Sequence, residues 1–348
     1  MLKEKTDFNQ VKMISYPTFA VQRALSKTFF KKNEMKEISD YTDPANTFKK
    51  NYSFKKGELN VVSNKRIQYT PEADKVLIYI LSKFLKINGN HSKNDNTDFV
   101  KYKIPINVSE FALMTLDEND IKSIQAGEDK NKIKNLRKKI KTILNDLISI
   151  RYVEINNIKM TLFEDNVERN KLLDQFIVTF RKSLSDLLIK KSKHVSISYR
   201  PLSIFKLNGI SYVLGSMFSS YIFMGKNIKN NRRTLMMSTI IANLDSLIPS
   251  EEKIRKMKSS YERKIMQPIL SGLDDIEKNN IFSCNISHDN YLLLPLYKKS
   301  KFTYVEFINS KVDITPLDTA TTYAEFQKKL TEISEIEHKE TVKECRKT

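Results

Sequence analysis

The chain has 348 residues, 40% hydrophobic, with seven glycines and nine prolines; that length suits about two domains, and the composition excludes collagen-like, linker-like and Pro-rich chains. Sixty Lys and Arg against 41 Asp and Glu leave a net charge of +19, which favours a polyanionic partner, either nucleic acid or an anionic membrane face. Cys284 and Cys345 are too few for a disulfide framework or a cysteine zinc site, which suits a reducing cytosol.

Taken in chain order, the opening Met-Leu-Lys-Glu-Lys-Thr-Asp lacks the apolar core of a signal peptide. Residues 1–60 are basic and rich in Lys, Asn and Phe, and read as a partly disordered arm with a short helix over Phe19–Lys31. Thr70-Pro71-Glu72 is a helix start: a capping hydroxyl, a proline in the first turn and a carboxylate near the positive dipole end. Val76, Leu77, Ile80, Leu81, Phe84 and Leu85 then recur at helical spacing. Phe99–Ile106 alternates as a strand does, and Asn107-x-x-Glu110 resembles a capping box before a second helix. An acidic loop over Asp117–Asp129 leads to a third.

That third helix is strongly basic. Residues 130–142 hold Lys130, Lys132, Lys134, Arg137, Lys138, Lys139 and Lys141 without one acid. Ile133, Leu136, Ile140, Ile143, Leu144 and Leu147 form one stripe, so Asn131, Lys134, Asn135, Lys138 and Lys141 point the other way. Tyr152–Ile155, the turn Asn156-Asn157 and Ile158–Phe163 read as a hairpin, with Phe176–Phe180 as a further strand of the same sheet. Helix, strand, helix, basic helix and hairpin is the order of a winged-helix module.

The order returns after residue 183. Residues 207–225 are uncharged and nearly as long as a membrane span, but Asn208, Ser211, Ser216, Ser219 and Ser220 make a buried core helix the better reading. Thr234–Leu247 reads as a second helix and Pro249–Glu252 starts a third, with Ser250 as cap. A fourth runs through Tyr261, Ile265, Ile269, Leu273 and Ile276. Ile281–Ile286 and Tyr291–Leu296 then suggest a second hairpin. Arg263-Lys264-Ile265 with Ile269-Leu270 and Leu273 aligns loosely with the Arg137–Leu147 run, one residue out of step, and Pro268 should bend that helix.

Helices of this kind fit the major groove, with Lys and Arg on phosphates and Asn, Gln or Arg on base edges. The candidate DNA-binding residues are Lys130, Asn131, Lys132, Lys134, Asn135, Lys138 and Lys141 on the first basic helix. Asn230, Asn231, Arg232 and Arg233 are suited to backbone contact from a loop. Lys256, Lys258, Ser260, Arg263, Lys264 and Gln267 form the second set. For each run the competing reading is a solvated helix face. Seven like charges forgo i,i+4 pairing and favour DNA in the first run; the carboxylates in the second weaken that case.

Catalytic constellations are not found. His91, His194, His288 and His338 have no metal-ligand spacing, Tyr261 has the phase of a core residue, and Gly225-Lys226 lacks the glycine and hydroxyl of a phosphate loop. Cys284 reads as a buried strand thiol. No cofactor or metal is expected, and no enzymatic activity.

This order of elements resembles theta-type plasmid replication initiator proteins. The matching residues are Thr70–Phe84, Lys132–Ile155, Tyr212–Met224, Asn230–Leu247 and Arg263–Leu273 with Ile281-Phe282. The resemblance implies an α+β, mainly helical chain of two tandem winged-helix domains, at 61–182 and 183–310, between the arm and a charged helical tail at 311–348. It implies sequence-specific binding of double-stranded DNA at origin repeats, opening of AT-rich DNA and recruitment of a host initiator or helicase. A possible homodimer and a cytoplasmic, plasmid-associated location in a bacterium also follow. The alternatives are a transcriptional regulator at an operator or a nicking replicase using a tyrosine.

Overall fold

The computed structural model describes residues 13–38, 47–54, 57–88, 100–125, 130–189, 195–223, 233–256, 260–288, 291–292 and 303–317. Its first part runs β1 (Met13–Thr18), α1 (Ala20–Leu25), a 3-10 turn (Lys32–Glu34), β2 (Lys36–Ile38), β3 (Thr47–Phe54) and β4 (Gly57–Ser63). Then come α2 (Pro71–Asn88), β5 (Lys103–Asn107), α3 (Val108–Thr115), α4 (Glu118–Gln125) and α5 (Lys130–Ile148). Four strands follow, β6 (Ile150–Ile155), β7 (Ile158–Met160), β8 (Phe163–Asn170) and β9 (Gln175–Phe180), and then α6 (Lys182–Ile189). The second part is β10 (Ser196–Pro201), a 3-10 turn (Leu202–Lys206), α7 (Gly209–Phe223), β11 (Arg233–Met236), α8 (Met237–Asn243) and α9 (Glu251–Lys256). A π-helical segment (Glu262–Met266), α10 (Gln267–Lys278), β12 (Phe282–His288), β13 (Tyr291–Leu292), α11 (Tyr304–Asn309) and β14 (Lys311–Pro316) complete it.

This corrects the expected fold class. Helix makes up about 51% and strand 31% of the described residues, in four sheets, so the chain is mixed α+β and not a mainly helical tandem of winged-helix domains. A five-stranded sheet, ordered β2-β3-β4-β6-β7, and the β1-β10 ladder have no counterpart in the sequence reading. The expected arm supplies four of those strands, and its Tyr16, Phe19, Val21, Leu25, Phe29 and Phe30 are buried. The expected hairpin forms as far as Met160, its Asn156-Asn157 turn carrying φ of 48° and 67°, but Phe163, expected in its second strand, opens β8 and pairs with Phe180 in another sheet. It joins the five-stranded sheet through β4, however, and not β9. Gly57 opens β4 at φ 149°, where a β-carbon would meet the Asn156 carboxamide oxygen at 1.8 Å.

The other two sheets do repeat an order. A helix, a short strand and three more helices occur twice, as α2 to α5 and as α7 to α10, followed by four strands in the first case and by three strands and α11 in the second. In each, the strand before the second helix pairs with the last strand: β5-β9-β8 and β11-β14-β12. β11 and β14 occupy stretches read as helix and as tail. The acidic loop at 117–129 contains α4. Local signals fix the helix starts: Thr70 Oγ1 accepts from Ala73 N (3.3 Å) and Asn107 Oδ1 from Glu110 N (3.0 Å). Residues 207–223 contain the expected core helix, with Tyr212, Leu214, Phe218 and Ile222 fully buried. Gly272 brings α10 onto α7, where a β-carbon would stand 2.8 Å from Leu214 Cδ1.

A buried polar cluster joins the first part of the chain to the second. Asp74 on α2 and Arg200 on β10 are 1% and 2% exposed. Arg200 Nη1 lies 3.5 Å from Asp74 Oδ2 and donates to the Tyr212 hydroxyl at 2.7 Å, while Nη2 donates to the Tyr16 hydroxyl at 2.9 Å. Asp74 in turn accepts from Tyr212 (2.8 Å), Tyr69 (2.9 Å) and Ser26. Burial, with the Asp74 charge, holds the Tyr69 and Tyr212 hydroxyls protonated far above their usual range. Removing one member leaves the other charged and unmatched. Arg200→Leu should therefore cost about 3–5 kcal/mol in urea unfolding, and a loss below about 1 kcal/mol, the scale of a surface pair, would refute this role.

Lys75, beside Asp74, is 4% exposed. Its ammonium donates to the Leu207 carbonyl and to Asn208 Oδ1 (3.2 Å) ahead of α7. Burial pushes its pKa from 10.5 to about 8, against Glu72 and with help from Lys139. Between those values the unfolded chain binds the proton that the folded chain has released, so this group's contribution to stability rises with pH. Urea midpoints of wild type and Lys75→Met, compared from pH 8 to 10.5, should show the wild type gaining on the variant. Parallel curves would contradict it.

Candidate nucleic-acid interface

α5 sits with its apolar stripe against α2, α3, β6 and β8. Ile140, Leu144 and Leu147 are buried, Ile143 nearly so, and Ile133 and Leu136 are half-buried at the amino-terminal end. The opposite face is wet: Asn131, Lys134, Asn135, Lys138, Lys139, Lys141 and Thr142 are all exposed. No carboxylate among the described residues pairs with Lys134, Lys138 or Lys141. Three other cations of the run are engaged. Lys132 is hydrogen-bonded to Asp120 of α4, Lys139 stands 4.0 Å from Glu72, and Arg137 forks onto Asp174 with both bonds at 2.7 Å. Lys132 is thus half-buried against α4 and leaves the candidate face. Of Lys130 only the backbone is described.

The second set is less coherent. Ser260, Arg263 and Gln267 are exposed and Lys264 is half-buried. Lys256 pairs with Glu252 at 2.6 Å, one turn earlier on α9, and Glu251 and Glu262 are exposed nearby. This surface therefore interleaves acids with its cations, where that of α5 does not. Pro268 lacks an amide proton, and the chain before it takes the π form, with Gln267 N bonding back to the Glu262 carbonyl. Arg233 starts β11 and donates Nε to the Tyr221 carbonyl at 3.2 Å, so it is strand-borne and not part of a loop. Asn230, Asn231, Arg232 and Lys258 lie outside the described residues.

Beside α5 stands a feature the sequence reading missed, the β8–β9 hairpin. Its turn, 171–174, follows exposed Arg169 and presents exposed Lys171, Leu172 and Leu173. The available signal was the polar break Asn170-Lys171 and Asp174-Gln175 before the alternating Phe176, Val178 and Phe180. Asp174, at φ 48°, takes the Arg137 fork and gives its carbonyl to Val108 N (3.3 Å), so the turn is tied to α5 and α3 together.

Among the described residues no three His, Cys, Asp or Glu side chains converge as metal ligands would. Tyr261 packs on the core and stacks on Tyr304 at 4.7 Å between ring centres; Tyr304 donates to Glu251 at 2.8 Å. Burial, reinforced by Glu277, raises the thiol of Cys284 far above its usual pKa. An open cleft of about 450 Å³ between α2, α5 and the start of α7 mixes Glu72, Asp117 and Asp120 with Lys75, Lys139 and Lys206. No described helix is long and apolar enough to cross a membrane. No protein-family model and no curated protein matches the chain.

Arg137→Gln should free the turn at modest global cost, below about 1 kcal/mol for a half-exposed pair. Amide exchange at residues 171–174 is expected to quicken relative to wild type. Equal protection in both proteins would show that the fork does not hold the turn.

Proposed function

We propose that this chain binds double-stranded DNA through the exposed face of α5. The observation that supports this is a single helix face presenting Asn131, Lys134, Asn135, Lys138 and Lys141 without a carboxylate among them. A solvated stabilising face would instead interleave acids four residues away. Lysines at this spacing reach phosphates on either side of a major groove, and Asn131 and Asn135 are amides suited to adenine edges. A net charge of +19 adds long-range attraction to any duplex. The α9 and π-helical surface, with Arg263 and Gln267, is a secondary contact in this reading, because carboxylates are interleaved with its cations.

The narrower role, initiation of plasmid replication at repeated origin sites with host proteins as partners, rests on the resemblance of element order. In that role the protein acts by binding and opening DNA, without a catalytic group of its own. A footprint over direct repeats beside AT-rich DNA supports it. Protection of one inverted repeat at a promoter supports the operator-binding alternative.

Charge reversal at Lys134, Lys138 and Lys141 tests the interface. Measured by anisotropy across a salt series, it should weaken binding on all sequences and flatten the salt slope by about 0.9 for each phosphate no longer neutralised. Asn135→Ala should leave the slope alone and relax base preference. Wild-type affinity and slope after the triple reversal would exclude α5 as the interface.

A further inference from the structure

The β8–β9 turn is an unusual place for two leucines. Leu172 is 98% exposed and Leu173 59%, although burying either would stabilise the fold by about 1.5–3 kcal/mol. A single exposed leucine is ordinary. An adjacent pair at the tip of a fixed turn is less so. This turn is fixed from within and from outside: Asn170 Oδ1 accepts from Leu172 N at 3.1 Å and Leu173 N at 3.2 Å, and Asp174 is gripped by Arg137.

Its surroundings indicate the occupant. Arg169 and Lys171 are exposed beside the leucines, while the flanking acids are taken up elsewhere, Glu168 by Lys103 at 2.6 Å and Asp174 by Arg137 at 2.7 Å. Arg137, which reaches the turn, shares its side of α5 with Lys134 and Lys141, one turn to either side. With Arg137 matched to Asp174, the apolar tip keeps Arg169 and Lys171 beside it, which suits a polyanion with an apolar interior. A stacked duplex is one; a purely apolar protein groove would gain nothing from the two cations. The minor groove is too narrow for a helix but admits side chains, and leucine is among the residues that wedge between base steps.

Resting on the duplex-binding reading above, we infer that the β8–β9 turn is a wedge. With α5 in the major groove, Leu172 enters the neighbouring minor groove and unstacks a base step, with Leu173 against the sugars and Arg169 and Lys171 on the flanking phosphates. Flexible TA steps give way at least cost, so the wedge favours AT-rich DNA.

The test uses the full chain and an alternating A/T duplex carrying 2-aminopurine at its TA steps. Anisotropy reports binding, and 2-aminopurine fluorescence reports unstacking. Wild type should bind and raise the fluorescence. The Leu172→Ala/Leu173→Ala variant, altered only at solvent-exposed positions, should still bind and lose most of the rise, while Leu172→Phe should retain it. Binding by wild type without a rise, or an undiminished rise in the double alanine variant, overturns the wedge and leaves the duplex-binding reading standing. No anisotropy change with wild type removes that reading and the wedge together. Sedimentation velocity separates the remaining case: weaker self-association of the double variant at unchanged fluorescence assigns the leucines to a second copy of the chain and overturns the wedge.

Discussion

The pairing of Asp74 with Arg200 is the constraint on which the arrangement of the two halves rests. A buried charge pair gains little by itself, because desolvation offsets most of the Coulomb attraction. Here three tyrosine hydroxyls and a serine offset part of the desolvation, while Arg200 Nε stays without a hydrogen bond among the described residues. The atoms come from six places in the chain: β1, the end of α1, the approach to α2, α2 itself, β10 and α7. The Arg200–Asp74 pair ties β10 to α2, and Tyr212, bonded to both, brings in α7. Lys75 adds a second link of the same sense, from α2 to the carbonyl just before α7. Since α2 also packs against α5, the cluster fixes the platform from which the basic face projects.

The halves share an order of elements but not a surface. In the first, the long helix after the short ones runs uninterrupted as α-helix from Lys130 to Ile148 and presents cations without acids on its exposed face. In the second, Pro268 interrupts the hydrogen-bond ladder, a π-helical turn absorbs the change, and Glu251, Glu252 and Glu262 stand among the cations, Lys256 pairing with Glu252. The hairpin beyond the helix also differs. β8 and β9 form a paired ribbon tied to α5 by an arginine fork, whereas β12 meets β13 over two residue pairs and takes β14 as its main partner. In this reading the first half supplies the main DNA contact and the second supports it.

Several features were legible because they depend on nearby residues. Thr70 and Asn107 cap the helices they were expected to cap, Asn156-Asn157 makes the tight turn, and the α5 stripe separates a dry face from a wet one as its 3.6-residue period requires. The uncharged 207–225 stretch holds a core helix because its serines return hydrogen bonds to the helix backbone, Ser219 to the Gly215 carbonyl and Ser220 to that of Ser216. The amino-terminal strands were obscured by lysines: in β3, Phe48 and Tyr52 alternate with polar residues, but Lys49 and Lys50 break the apolar pattern. Leu172 and Leu173 were invisible as a site, since two leucines in sequence look like core.

The sequence by itself determined the helix starts, the tight turn, the two faces of α5 and the size of the positive charge, since each follows from residues within one or two turns of one another. Only the tertiary structure decided that β2, β3 and β4 build a sheet with β6 and β7, that Arg200 finds Asp74 across 126 positions, that Lys132 and Arg137 are occupied while Lys134, Lys138 and Lys141 meet no carboxylate among the described residues, and that the leucine pair faces water. Strand partners, ion pairs and exposure arise between segments far apart in the chain, and no local period encodes them.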